Sequence, residues 1–229
     1  MSKIEELKKK IIQEGMTDED FEQFKVLLRR TPGDFLKNQH CYTTAVSLSK
    51  ENADQAIRLI EYGLETFSGD DSLGKQRAYI CLADVYYKIN QYNKAYSSLK
   101  KAQGVAATEG NRLYVSCEMD MLWMKMHVDS FEYSEELEVL YSSCQKECEF
   151  TKALLNNQFK MTIAEIIIML HHGRKNQAVD LYNKAVEMTD SEYKGVLAGV
   201  LKKHKASESL DITEQDFEYL KRIQKILEQ

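Results

Sequence analysis

The chain has 229 residues, of which 43% are apolar and 29% are charged, and 31 basic against 36 acidic side chains give a net charge of −5. This composition is typical of a folded protein with a sizeable core and excludes a largely disordered chain. The mild acidity argues against nucleic acid as the main partner, because phosphate binding relies on clustered cations.

Apolar residues recur at helical spacing along the chain, and no segment alternates convincingly as a strand would. Pro32 is the single proline, which permits long and closely spaced helices. The first two helices are predicted to begin at Ser2 and Thr17, which are typical N-cap residues, and a strong turn signal follows at 31–34. Further helices are predicted at about 35–49, 53–67, 75–89, 92–105, from 110 onward, and at 134–148, 156–172, 177–188, 189–204 and after Thr213.

The helical pair between Arg77 and Ala107 carries large and small residues in a set order. Its predicted core consists of Tyr79, Leu82, Ala83, Tyr86, Ala95, Leu99 and Ala102. The order resembles the tetratricopeptide repeat, which has the pattern W-x2-L-G-x2-Y followed by spaced small and large residues and a proline. Only Ala107 departs from it, standing where the repeat has proline. Small residues let the two helices approach closely, and large ones fill the gaps between turns.

The small–large–small spacing of the second helix recurs elsewhere in the chain. The copies are Ala56, Ile60 and Gly63, then Leu137, Tyr141 and Cys144, then Ala178, Tyr182 and Ala185. Counted from the first residue of each copy, and with Ala95 of the central unit included, the intervals are 39, 42 and 41 residues. The usual period of the repeat is 34 residues. The first helices match less well: Glu165 occupies a leucine position, and an extra turn would give Ala164 the small position.

The resemblance implies an all-α protein, a right-handed superhelix of antiparallel helix pairs. We expect a tetratricopeptide-like α-solenoid of about four repeats, with a period near 40 residues, in a single domain over 1–229. Residues 1–33 would form N-terminal capping helices, 34–189 the repeats, and 190–229 C-terminal capping helices. Stacking is needed because an isolated hairpin cannot bury its apolar face.

No targeting or membrane segment is predicted. The basic start MSKIEELKKK lacks the apolar core of a signal peptide, and the longest apolar run, Ile166–Leu170, is too short to span a bilayer. The five cysteines are an odd number, so no complete disulfide framework is implied. We therefore expect a cytoplasmic protein.

Candidate chemical sites are few. Cys144 and Cys148 have a spacing that can chelate a metal, with His171 and His172 as further ligands, but no second pair has the tight spacing of a zinc site. No glycine-rich phosphate loop and no G-x-S-x-G is present, and no cysteine has a nucleophile signature. We expect neither a metal nor a cofactor, and no catalytic residues. A methionine-rich run around Trp123 is expected to pack in the core, with an adaptable binding surface as the alternative.

The resemblance implies a binding role, because tetratricopeptide arrays bind peptides or proteins on a concave surface lined by the first helix of each pair. In the central unit the residues of that helix outside the hairpin core are Arg77, Ile80, Asp84, Tyr87 and Lys88. By register, Asn38 and Cys41 would precede them. A solvated convex face is the alternative. Family members that hold chaperone C-terminal carboxylates have Lys and Asn where this chain has Ile80 and Cys81, so that activity is not supported.

We therefore predict a non-catalytic module that binds a protein or peptide, and neither nucleic acid nor a membrane. Within this class we favour a bacterial immunity or regulatory protein, whose acidic surface would suit a cationic toxin. The alternatives are a regulator that senses a peptide in the concave face, and an enzyme on a helical scaffold, which would need several titratable groups converging in one pocket.

Overall fold

A computed structural model describes residues 2–48, 50–69, 71–108, 116–146 and 155–182. Within these ranges the chain is helical and has no strand, which confirms the all-α prediction for them. A single 3-10 turn (Lys50–Asn52) precedes α4, and residues 175–182 are also helical. The helices are α1 (Lys3–Glu14), α2 (Asp18–Arg30), α3 (Asp34–Val46), α4 (Ala53–Phe67), α5 (Ser72–Lys88), α6 (Tyr92–Thr108), α7 (Ser116–Val128), α8 (Glu135–Cys144) and α9 (Leu155–His171).

Several predicted features lie outside the described residues. They are the helices over 189–204 and after Thr213, the C-terminal capping segment 190–229, and the side chains of Cys148 and Ala185. Among the described helices, none combines the length and the apolar character needed to cross a membrane.

Local sequence signals explain where several helices begin and end. Thr17 and Asp20 form a reciprocal capping box at the start of α2, so two backbone N–H groups without helical partners are satisfied. Ser134 caps α8 by accepting a hydrogen bond from the Leu137 N–H at 3.2 Å. Gly173 follows α9 with a φ of 71°, the left-handed conformation expected of a helix-ending glycine.

One predicted boundary moves because of a backbone turn. Helix α5 begins at Ser72 rather than at residue 75, because the Asp71 N–H donates to the Ser68 carbonyl and reverses the chain there. The Asp71 carbonyl then accepts the first helical bond, from the Lys75 N–H at 3.0 Å. Residues 72–74, which the sequence prediction leaves in a polar turn, therefore belong to the helix.

The chain divides into two compact units, Met1–Cys117 and Glu118–Gln229. In the first unit, α3 packs with α4 and α5 packs with α6, while α4 also contacts α5 and α1 contacts α2. The α5–α6 pair is antiparallel: Lys94 lies over the Tyr86 ring near the turn, and Lys101 lies over Tyr79 further from it. This is the helical hairpin predicted for 77–107.

The predicted small and large positions of the first unit form its core. In the central hairpin Leu82, Ala83, Ala95, Leu99 and Ala102 are buried, as predicted. Tyr79 and Tyr86 are half-buried and pack against the same core. The earlier copy agrees, because Ala56, Ile60 and Gly63 are buried on α4. The spacing of small and large residues therefore predicted the buried face of α4 and of α6 correctly.

In the second unit, α8 packs against α9. The predicted core positions Leu137, Tyr141 and Cys144 are buried on α8, and Ala164 is buried on α9. Glu165 bonds the Tyr141 hydroxyl, and burial together with that bond raises the pKa of Tyr141. A carboxylate can therefore occupy the leucine position because it satisfies a buried hydroxyl. Methionines 119, 121, 124 and 126 are all buried, which confirms the core prediction for the methionine-rich run.

Candidate binding surface

Most residues predicted to line a binding surface lie along one side of α5. Arg77, Ile80 and Asp84 are half-buried, and Lys88 is exposed. Tyr87 is buried instead, and its ring packs against Tyr92 with ring centroids 5.9 Å apart. Its side chain therefore supports the α5–α6 hairpin.

Helix α5 lies beside α3, and two contacts define how the helices are aligned. The Arg77 guanidinium lies 5.2 Å from the centroid of the Phe35 ring, near the start of both helices. At the other end, Lys88 Nζ donates to the Val46 carbonyl at 3.2 Å. Both pairs are 42 residues apart in sequence, so α3 and α5 run parallel and in register.

Charge along this surface is mixed. Lys88 pairs with Asp84 one turn earlier, with 2.8 Å between Nζ and the carboxylate. Both side chains are about two-fifths exposed, so solvent screens the pair and its contribution to stability is small. The pair instead fixes the positions of one positive and one negative group beside α3.

Two large apolar side chains at the start of α3 are exposed and were missed by the sequence prediction. Phe35 is 50% exposed and lies next to Arg77, and Leu36 is 42% exposed. The available signal was an apolar pair directly after the 31–34 turn, before the amphipathic pattern of the helix begins. Aromatic and arginine side chains are enriched in protein interfaces, and Phe35 and Arg77 bring the two together here.

Asn38 and Cys41 lie in the core and not on an open surface. Asn38 is 3% exposed and Cys41 is fully buried. Gly63 of α4 lies against both residues, and its lack of a side chain lets α4 cover this side of α3. Burial raises the pKa of the Cys41 thiol to about 12, so it is neutral and unsuited to nucleophilic chemistry. We therefore remove both residues from the proposed surface.

Asn38 has a structural role in a buried polar network. Its side-chain amide donates to Ser68 Oγ at 3.3 Å, and the Tyr42 hydroxyl lies 3.3 Å from Asn38 Oδ1 and 3.2 Å from Ser68 Oγ. Burial raises the pKa of Tyr42 to about 12, although its bond with Ser68 partly opposes this. The network joins α3 to the turn after α4 and leaves these polar groups satisfied.

The other candidate site residues show no metal-binding arrangement where the structure describes them. No group of three His, Cys, Asp or Glu side chains in the described ranges could hold a metal ion. His171 is exposed and stacks on Tyr133, with ring centroids 3.5 Å apart. His172 is exposed and lies 3.3 Å from Glu138, while Cys144 is buried. Cys148 is outside the described residues.

Comparisons with known proteins add no identification. No family model, no curated protein and no solved structure matches this chain.

Proposed function

We propose that this chain is a non-catalytic module that binds a protein or peptide, built as a tetratricopeptide-like array. The observation that carries the proposal is the parallel alignment of α3 and α5 at an offset of 42 residues, marked by the Arg77–Phe35 and Lys88–Val46 contacts. Side-by-side first helices at a repeat-length offset are what a stacked array of hairpins requires. The antiparallel α5–α6 pair and the buried small positions support the same architecture.

The binding surface that we propose is the α3–α5 face. It comprises Phe35, Leu36, Arg77, Ile80, Asp84 and Lys88. Phe35 and Leu36 supply apolar area that a partner could cover, and the charged residues supply directional contacts around it. Aromatic and arginine side chains carry a large share of binding energy in protein interfaces, which favours the Phe35–Arg77 pair as its centre.

The partner that we favour is a protein or peptide in the cytoplasm, and the role that of a bacterial immunity or regulatory protein. A net charge of −5 disfavours a nucleic acid and suits a cationic partner, such as a toxin. An enzyme on a helical scaffold is the alternative, and it would need several titratable groups converging in one pocket.

The test begins with capture of a partner from the native cell on the tagged full chain, followed by titration calorimetry with the purified partner. We expect R77Q/K88Q to weaken binding roughly tenfold, because Arg77 and Lys88 would contact carboxylates of the partner even where its net charge is positive. The matched control is K3Q/K9Q, which removes the same charge from exposed positions on α1.

Both double variants must retain the wild-type helical spectrum. A partner that binds R77Q/K88Q as tightly as the wild-type chain, or loses equal affinity for K3Q/K9Q, would rule out the α3–α5 face. A chain that captures no protein or peptide would contradict the binding role itself.

A further inference from the structure

A groove of about 420 Å³ runs along one side of α8 in the second unit. We call it the α8 groove; its lining includes Tyr133, Glu135, Glu138, Val139, Ser142 and Lys146. Starting from 135, the positions 138 or 139, then 142 and then 146 recur at intervals of three or four, so they share one side of α8 and of the turn that follows it. The groove is therefore a continuous strip along this part of the chain.

The charge of this segment is strongly negative. Between Asp129 and Lys146 the sequence has five carboxylates and one lysine. Lys125 pairs with two of those carboxylates, Asp129 and Glu136, each at 3.0 Å. The two carboxylates that line the groove, Glu135 and Glu138, are not partners of Lys125. Among the described lining residues these two carboxylates outnumber the cations, since only Lys146 at the far end is basic.

Glu138 is held in place before any ligand arrives. The Tyr133 hydroxyl donates to its carboxylate at 2.7 Å, and His172 Nε2 lies 3.3 Å from the other oxygen. The bond from Tyr133 lowers the pKa of Glu138, with His172 adding to the effect, so the carboxylate stays ionised. A charge that is already oriented loses less entropy when it binds an opposite charge.

Val139 supplies an apolar contact beside the two carboxylates. It is 67% exposed, more than any other large apolar side chain in the described part of the chain. Its neighbours Leu137 and Leu140 are buried on the other side of α8. Burying Val139 against an apolar group would therefore be favourable without any change in the core of the unit.

We propose that the α8 groove binds a cationic segment of a partner protein in which a lysine or arginine lies next to an apolar residue. The cation pairs with Glu135 and Glu138, and the apolar side chain covers Val139. This inference rests on the proposed binding role, since it assigns the surface that receives a cationic partner. It does not depend on the α3–α5 face, which belongs to the other unit.

The probe for this groove is a synthetic ten-residue peptide in which lysine and leucine alternate, titrated into the full chain by calorimetry. A peptide with glutamine in place of every lysine is its neutral counterpart. We expect E135Q/E138Q to weaken binding of the basic peptide about tenfold. Glutamine at 138 can still accept the Tyr133 hydrogen bond, so folding should be retained. The control, E61Q/E65Q, removes two exposed carboxylates from α4 and should bind as the wild-type chain does.

The apolar part of the contact has its own pair of variants. V139S should weaken binding several-fold, whereas V26S, at an exposed valine of α2, should not. Amide chemical shifts of the labelled chain should move around residues 135–146 when the basic peptide is added.

Three results would overturn the proposal. They are equal binding of the neutral peptide, equal loss in E61Q/E65Q, and absence of binding or of shifts along α8. None of these results bears on the α3–α5 face, because R77Q/K88Q is tested with the captured cellular partner and not with the synthetic peptide. Conversely, loss of peptide binding only in E135Q/E138Q would support the groove even if the α3–α5 face failed its own test.

Discussion

Gly63 of α4 lies directly against Cys41 of α3, so that a Cβ at position 63 would come within 3.0 Å of the Cys41 Cβ. Real Cβ atoms essentially never approach more closely than that. The contact allows the two helices to pack at short range, in the way that small residues do in helix pairs. It also contributes to the burial of Cys41 and Asn38 on this side of α3.

Replacing Gly63 by alanine should destabilise the first unit. The added methyl would meet Cys41 and Tyr42 at 3.0–3.1 Å, and we expect a loss of about 1–3 kcal/mol in the free energy of unfolding. The matched control is Gly104→Ala on α6, where a Cβ would meet no atom within 4 Å. There the change should stabilise by about 0.5–1 kcal/mol, because alanine is the better helix former. Urea titration measures both; a G63A midpoint at or above that of the wild-type chain would contradict the close packing.

Replacing Gln76 by methionine should stabilise the protein. Gln76 is 1% exposed on α5, and neither polar atom of its side-chain amide has a hydrogen-bond partner. A buried amide without partners costs about 1–3 kcal/mol, and methionine has a similar shape without that cost. We therefore expect the free energy of unfolding to rise by roughly that amount. Gln39→Met, at an exposed position of α3, should change it by less than about 0.5 kcal/mol. Equal midpoints for the two variants would show that the Gln76 amide is not a source of instability.

Asp20 should give the first unit a stability that depends on pH in the acid range. Burial alone would raise the pKa of Asp20, but hydrogen bonds from the Lys10 side chain and from the Thr17 hydroxyl and backbone lower it below its ordinary value of 3.8. A carboxyl group whose pKa is lower in the folded state stabilises that state at pH values well above 3.8. The stabilisation is lost as the pH falls through the folded-state pKa.

The corresponding variant is Asp20→Asn, which should cost about 1–2 kcal/mol near neutral pH through loss of the ion pair and the capping contact. The difference from the wild-type chain should shrink as the pH is lowered from 6 to about 3. Asp54→Asn, at an exposed carboxylate in the first turn of α4, should show a smaller difference at neutral pH. Urea titrations at several pH values measure these differences; a D20N deficit that stays constant down to pH 3 would exclude the ionised carboxylate as its cause.

Most candidate surface residues predicted on α5 are accessible, whereas those predicted on α3 are buried. The lengths of the connecting turns explain why Cys41 was misplaced. Equivalent second-helix positions, Ala56 and Ala95, are 39 residues apart, whereas α3 and α5 align at an offset of 42. Six residues join α3 to α4, but only three join α5 to α6. Carrying the interval of 39 residues over to the first helices placed Cys41 level with Ile80, three residues from its actual counterpart. Asn38 is level with Ile80 in the observed register and is buried for another reason, because Gly63 of α4 lies against it. The 42-residue register aligns Cys41 with the buried Ala83.

The helices themselves could be predicted from the sequence, because apolar periodicity, capping residues and helix-ending glycines act over a few neighbouring residues. The buried face of each second helix followed for the same reason, from the spacing of Ala56, Ala95 and their copies. Which side of a first helix stays open depends on what packs against it. That side was decided by the tertiary structure, where Gly63 covers Cys41 and leaves Phe35 exposed beside Arg77. The α8 groove depends partly on tertiary structure as well, since His172, which follows α9, reaches Glu138 only when α8 and α9 pack together.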